Sequence, residues 1–242
     1  MYFCVVVLSA VPTAIGTFSG SLKDIEPSEF AGQVLKEAMA RSGVEAKKYE
    51  SVVVGNTIPT ESRFAYVARV ALIQGGMSLN STAMALNRLC RSGLQAVINL
   101  AQGIMLGDHE LAIGGGVENM SRGGYLSPAL RAGARMGDSS MIDMMVATLT
   151  APFGVGHIGI TAENLATKWN FTREQQDIFA AQSHARAAAA TDAGYFKDQI
   201  VPIELKNRKG SALFEVDEHV KLITTLETLS GMRAAFKKDG RV

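Results

Sequence analysis

Cysteine is scarce in this chain. The 242 residues hold two, Cys4 and Cys90, which cannot build a disulfide framework and suit a reducing compartment. An excess of one charge is also missing, because 24 Lys and Arg meet 23 Asp and Glu for a net charge of +1. No basic block stands out, so no nucleic acid and no anionic membrane surface is expected as a partner. No apolar run reaches the length that crosses a bilayer. The opening MYFCVVVL is apolar, but it lacks a basic leading region and is too short for a secretion signal. A cytoplasmic location is therefore expected. His109, His184 and His219 have no carboxylate or Cys neighbours at metal-ligand spacing, so no metal site is expected. The Gly114-Gly115-Gly116 run has neither the spacing of a dinucleotide fingerprint nor the Lys-Ser/Thr of a phosphate loop. Taken alone, it reads as a tight turn at a strand end. No internal repeat is present.

What is present is a large apolar fraction, 47% against 19% charged. That composition supports a sizeable core in one large domain or two small ones and argues against disorder. Residues 3–9 are apolar and rich in β-branched side chains, the pattern of a strand covered on both faces. Pro27 and Ser28 open a helix that runs to Ser42, with Phe30, Val34, Leu35, Ala38 and Met39 as its apolar stripe and Gly43 as its stop. A second buried strand is predicted over 51–56, a helix over 66–74 and a short apolar piece over 82–86. A long apolar helix over 94–106 and a third strand over 111–114 follow. This alternation argues for an α/β domain with mostly parallel strands. Beyond residue 121 the pattern changes to loops and helices. Helices are predicted over 138–149 and 161–169, and Thr172-Arg173-Glu174-Gln175 is a capping box that opens another. Residues 200–205 and 213–216 read as a hairpin, and a last short helix is predicted over 225–236. A boundary near residue 119 would give two domains, 1–118 and 119–242.

Cys90 draws attention because it stands at the start of the apolar helix. Leu94, Val97, Ile98, Ala101, Ile104 and Met105 recur at three- and four-residue steps, which predicts a buried face. A thiol at such a helix start lies near unpaired backbone N–H groups and the positive end of the dipole, and both favour the nucleophilic thiolate. Ser92 and Gly93 are small enough for a ligand to approach the backbone. A lone Cys among apolar residues is more often an inert core residue. A lone His in a Gly-flanked loop, such as His157, is more often a surface or capping group.

The motifs around these residues weigh against the plainer readings. Asn87-Arg88-Leu89-Cys90-x-Ser92-Gly93, Gly115-Gly116-x-Glu118-x-Met120-Ser121 and His157-x-Gly159-x-Thr161-Ala162-Glu163-Asn164 stand in that order. Phe196-Lys197-Asp198-x-Ile200-Val201-Pro202, Arg208-Lys209-Gly210 with Asp217-Glu218-His219, and Thr13-Ala14-Ile15-Gly16-Thr17-Phe18 extend the set. Together they resemble the thiolase family over nearly the whole chain, most closely its acetyl-CoA acyltransferases or β-ketothiolases.

The resemblance implies a thiolase-like N-terminal α/β half, with a mixed, mostly parallel sheet in 1–118 and a loop domain for coenzyme A in 119–242. It implies a transferase in which Cys90 takes the acyl group of a 3-ketoacyl-CoA as a thioester and passes it to coenzyme A. The reverse direction is a Claisen condensation. Coenzyme A is then substrate and product, and no cofactor is implied. By matched position, Leu149, His157, Ile158, Lys221 and Phe236 contact coenzyme A. Ile158 stands where the family commonly has Met, Lys221 where it has Arg, Arg91 where it has Gly and Pro12 where it has Arg. Lys221 keeps a charge but lacks the planar fork of Arg, so weaker binding is expected there. The family's His base loop, its Asn-Glu-Ala-Phe loop and its second catalytic Cys have no match in this sequence. Activity is therefore expected to need a companion half, within a homo-oligomer or from another chain. The alternative is an inactive coenzyme A-binding or structural fragment that pairs with another thiolase chain.

Overall fold

The computed structural model describes residues 4–207, 210–221 and 223–242. The helices are α1 (Pro27–Ser42), α2 (Val67–Gly75), α3 (Ser92–Leu106), α4 (Met144–Thr148), α5 (Ile158–Lys168), α6 (Arg173–Asp192) and α7 (Leu226–Ser230). The strands are β1 (Ser51–Gly55), β2 (Thr82–Leu86), β3 (Ala112–Gly116), β4 (Tyr125–Leu126), β5 (Ile142–Asp143), β6 (Thr150–Ala151), β7 (Gly156–His157), β8 (Ile203–Asn207) and β9 (Gly210–Phe214). The chain divides into two compact units, Met1–Gly123 with Gln199–Asp217, and Gly124–Asp198 with Glu218–Val242.

The first unit is built on a parallel three-stranded sheet in the order β2-β1-β3. Successive strand residues point to opposite faces, and β1 shows this directly. Val52 and Val54 enter a core with Leu35 and Met39 of α1 and Ala68, Ala71 and Leu72 of α2. Val53 points the other way, onto Ala96 and Leu100 of α3. Both faces of β1 are therefore covered, and all five of its residues are buried. This is the near-continuous apolar strand that a parallel sheet requires. The helix stops are local. Gly43, Gly76 and Gly107 take left-handed φ of 73°, 83° and 83° at the C-caps of α1, α2 and α3.

The β8-β9 hairpin belongs to this unit. Ile203 and Phe214 pack with Ala14 and Phe30 of α1. Val201 N–H donates to the Pro12 carbonyl at 2.8 Å, and Ile15 N–H to Asp217 Oδ1 at 2.7 Å. The expected division into 1–118 and 119–242 differs on this point, because 199–217 bury their apolar side with α1 and the first break falls after Gly123. Residues 208–209 of the expected hairpin lie outside the described residues.

Four further expectations differ. The described part of the stretch expected as a buried strand, 4–9, forms no strand, and Val7 is 77% exposed. Its β-branched pattern signals burial, but the described chain places no neighbouring strand or helix over it. The apolar face expected on α3 is likewise not the buried one. Ser92, Ala96, Leu100 and Gly103 face the sheet, whereas Leu94, Val97, Ile98 and Met105 are exposed. Gln95, Asn99 and Gln102 form one polar stripe, so periodicity picks the large apolar residues opposite it, whereas the smaller residues beside that stripe are the ones that fit close to the sheet. The helix expected over 138–149 shrinks to α4 at Met144–Thr148, where Asp143 caps it by accepting from Met145 and Val146 N–H. The helix expected over 225–236 shrinks to α7.

The second unit carries α5, α6 and α7 with the short ladders β4-β5 and β6-β7. Thr172 and Gln175 form the expected capping box at the start of α6. Arg173 of α6 reaches the Leu229 carbonyl at the end of α7 at 2.7 Å, and α6 packs on α7. Among the described residues no helix is long and apolar enough to cross a membrane.

Candidate active site

Cys90 sits on a turn two residues before α3, with Arg91 as the N-cap. It is exposed, as is Cys4, so the reading of Cys90 as a core thiol does not hold. Gly55, at the end of β1, brings the sheet against this turn. A Cβ on Gly55 would lie 2.5 Å from the Ser92 carbonyl carbon and 2.8 Å from Gly93 N, so only glycine fits. Gly93 and Gly116 also meet closely, though with slightly more room. A Cβ on Gly116 would be 3.0 Å from the Gly93 Cα.

The turn itself is held by side chains. Leu89, the residue before Cys90, has φ of 51°, a left-handed conformation that a bulky residue adopts only under constraint. Asn87 Oδ1 accepts from Leu89 N–H at 2.8 Å. The Leu89 carbonyl accepts from Ser92 Oγ at 2.6 Å, from Ser92 N–H at 3.0 Å and from Thr57 Oγ1 at 3.2 Å. Ser92 Oγ in turn accepts from Arg88 N–H at 2.8 Å.

Glu118, two residues beyond β3, closes the arrangement. Its carboxylate accepts from Thr57 N–H at 2.9 Å, Ile58 N–H at 3.1 Å and Asn56 Nδ2 at 3.1 Å. Loss of water around the carboxyl raises its pKa above the ordinary value, against the opposing pull of the N–H groups of Thr57 and Ile58. Sequence reading missed Thr57 altogether and gave Glu118 and Asn87 no role. The available signal was Asn87 two residues before Leu89, the spacing of a side-chain turn.

The second unit brings four of the five expected coenzyme A contacts together. Ile158 N–H donates to the Leu149 carbonyl at 2.9 Å, and His157 pairs with Thr150 across the β6-β7 ladder. His157 is no surface loop residue but the N-cap of α5, its Nδ1 accepting from Gly159 N–H at 3.1 Å. A neutral ring in this geometry carries its proton on Nε2. The imidazole stacks on Phe236. Gly159 makes this possible, since a Cβ there would overlap the Phe236 ring. Ile158 is exposed, so the group presents an apolar side chain beside a flat aromatic pair. Lys221 is placed by a separate contact, its N–H on His184 Nδ1 at 3.3 Å. Among the described residues no three His, Cys, Asp or Glu side chains converge as a metal would need.

The segment that carries Phe236 is anchored by buried Glu163 of α5. Glu163 accepts from Arg241 N–H at 3.0 Å and Val242 N–H at 2.9 Å, and Ala235 N–H closes the loop onto the Val242 carbonyl at 2.9 Å. The N–H groups of Arg241 and Val242 hold the Glu163 carboxyl below its ordinary pKa, with Lys237 and Arg241 adding to them.

Comparison with known proteins agrees with this architecture. The chain is 52% identical over 235 residues to the beta-ketothiolase BktB of Cupriavidus necator, covering 97% of this chain and 60% of that protein. It is 42% identical over 240 residues to an acetyl-CoA acetyltransferase of Pseudomonas aeruginosa, at 98% and 61% coverage. Its fold superposes on the Bacillus anthracis acetyl-CoA acetyltransferase with a TM-score of 0.93 at 40% identity, and on human mitochondrial 3-ketoacyl-CoA thiolase in complex with CoA at 0.92 and 36%. These matches take in 98% of this chain and 60% and 59% of those chains. The chain thus spans about 60% of the length of the curated relatives it matches. The family model described as thiolase, N-terminal domain, matches residues 5–242, and the chain belongs to the thiolase family.

Proposed function

We propose that this chain supplies the nucleophile and part of the coenzyme A platform of an acetyl-CoA acyltransferase. The observation that carries the reading is Cys90, exposed on a constrained turn at the N-terminal end of α3. In the degradative direction the Cys90 thiolate attacks the 3-keto carbon of a 3-ketoacyl-CoA. The C2–C3 bond breaks, the electron pair leaves with C2, and protonation there releases acetyl-CoA. The acyl group stays on Cys90 as a thioester until the thiolate of a second coenzyme A displaces Cys90. The first half-reaction trades a C–C bond for the Cys90 thioester, and the second exchanges that thioester for a coenzyme A thioester of similar energy, so the acyl-enzyme is not a deep well. The Cys90 N–H at the helix start helps hold the oxyanion that forms at the attacked carbonyl.

The second unit serves as the coenzyme A-binding domain, through Leu149, His157, Ile158, Lys221 and Phe236. Coenzyme A acts as substrate, without a further cofactor. Turnover also needs a base for the thiol. In the unit that carries Cys90 the histidine is His109, which packs on Gly103 about three helical turns along α3 from the thiol. Its Nε2 lies 3.1 Å from the Leu100 carbonyl. The family's His base loop has no match in this sequence, so the reading takes the base from a companion half, in a homo-oligomer of longer chains or from another polypeptide. The exposed apolar stripe of α3 favours such a companion over a free-standing enzyme.

Thiolysis of acetoacetyl-CoA tests this, followed as loss of the magnesium-enolate absorbance on protein of verified intact mass. Acetyl-CoA should acylate Cys90, and turnover should appear only with a companion half. Turnover by these 242 residues alone would overturn the need for a companion. Cys90 left free by acetyl-CoA with and without a companion would favour an inactive binding or structural fragment.

A further inference from the structure

Glu118 accepts from Thr57 N–H, and the Thr57 hydroxyl donates to the Leu89 carbonyl, so the pair acts on one peptide plane. We infer that Thr57, held by Glu118, is a positioning residue that sets the direction of the Cys90 N–H by fixing the Leu89–Cys90 peptide. The inference rests on the reading of Cys90 as the acyl-accepting nucleophile.

The Leu89–Cys90 peptide is trans, as are the other peptides among the described residues. Its carbonyl and its N–H therefore point in opposite directions. The Leu89 carbonyl is tied from two elements, by Ser92 at the start of α3 and by the Thr57 hydroxyl from the segment after β1. Ser92 belongs to the same turn as Cys90 and moves with it. Thr57 does not, so its hydroxyl ties this carbonyl to the segment that leaves β1. The Asn87 side chain adds a second tie to the same residue, donating to the Thr57 carbonyl at 3.2 Å. Thr57 is in turn held through its own N–H by Glu118 Oε2, while Glu118 Oε1 takes Ile58 N–H and Asn56 Nδ2. A Gln at 118 would turn an NH₂ group toward one of these donors, and the segment after β1 would lose an anchor.

Two reagents separate this role from a merely structural one. Cys90 thiolate displaces thiophenolate from phenyl thioacetate, forming a new C–S bond through a tetrahedral oxyanion and keeping the acetyl group. With iodoacetamide the same thiolate displaces iodide at a saturated carbon, and no oxyanion forms. Rates at Cys90 are measured by peptide mass on the full chain, with exposed Cys4 as the internal reference. Thr57→Val keeps the side-chain shape and removes the hydroxyl. It should slow acylation of Cys90 by about tenfold and leave alkylation within about twofold. Thr57→Ser should restore acylation, and Glu118→Gln should behave as Thr57→Val does. Wild-type acylation kept in Thr57→Val, or both rates falling together in Thr57→Val and Glu118→Gln, would overturn the positioning role. Cys90 acylated no faster than Cys4 in the wild-type chain would overturn the nucleophile reading, and the positioning role with it.

Discussion

The imidazole of His157 and the ring of Phe236 lie nearly parallel, with centroids 5.3 Å apart and planes at 18°. Such a pair is worth about 0.5–1.5 kcal/mol beyond its buried area. It also joins the start of α5 to the end of the chain. Phe236→Ala should weaken coenzyme A binding by up to about tenfold, the equivalent of about 1.4 kcal/mol. Calorimetric titration measures this, and an unchanged affinity would remove Phe236 from the platform.

Gly159 controls the same pair from beneath. Gly159→Ala forces the Phe236 ring aside, and overpacking of this kind costs about 1–3 kcal/mol. A lower melting temperature together with weaker coenzyme A binding is expected. A variant as stable as wild type would show that the ring can move aside freely.

The two thiols offer an internal comparison, since both are exposed. Cys90 lies by the N-terminal end of α3, where a negative charge gains about 0.3–1 kcal/mol. Iodoacetamide should therefore label Cys90 about two- to fivefold faster than Cys4. Equal or slower labelling would argue against an activated thiol in this chain.

Glu163 links stability to pH. Its carboxyl titrates below the ordinary 4.5 because it accepts the N–H groups of Arg241 and Val242. A lowered value contributes stability above pH 4.5 that is lost as pH falls from there through the folded value. Trp169 fluorescence during denaturant unfolding, between pH 7 and pH 3.5, should show a steeper acid loss in wild type than in Glu163→Gln. Parallel curves would mean that Glu163 does not couple to folding.

The two faces of α3 differ in what they contribute. Leu100→Ala opens a cavity beside Val53 and Ala96, at a cost of about 2–5 kcal/mol. Leu94, at 67% exposure, should cost less than about 0.5 kcal/mol when replaced by Ala. Comparable losses at both positions, read from denaturant midpoints, would show that the stripe with Leu94 is covered in solution.

Much of this was readable in the residues. The α1 boundaries followed from Pro27 and Gly43, and the α6 start from the Thr172 capping box, because these signals act within a few residues. Cys90 and the His157 group came from motif resemblance. What was not readable depends on contacts between distant segments. The buried face of α3 is set by small residues that meet the sheet and not by the largest apolar stripe, and residues 4–9 carry a strand pattern with no described partner. Thr57 serves the Cys90 turn from more than thirty residues upstream, so no local pattern announces it. For His157 the surface and capping readings were both open, and the start of α5 one residue after it decides for capping.

The close meeting of Gly55, Gly93 and Gly116 bears on how freely this sequence can vary. None of the three has a side chain that could do chemistry, yet a single added methyl at Gly55 or Gly116 would push the sheet ends and the Cys90 helix apart. In a saturation library selected for a working thiol, these positions should tolerate as few replacements as Cys90 itself. The alphabet around the nucleophile is narrowed by a lack of room as much as by reactivity.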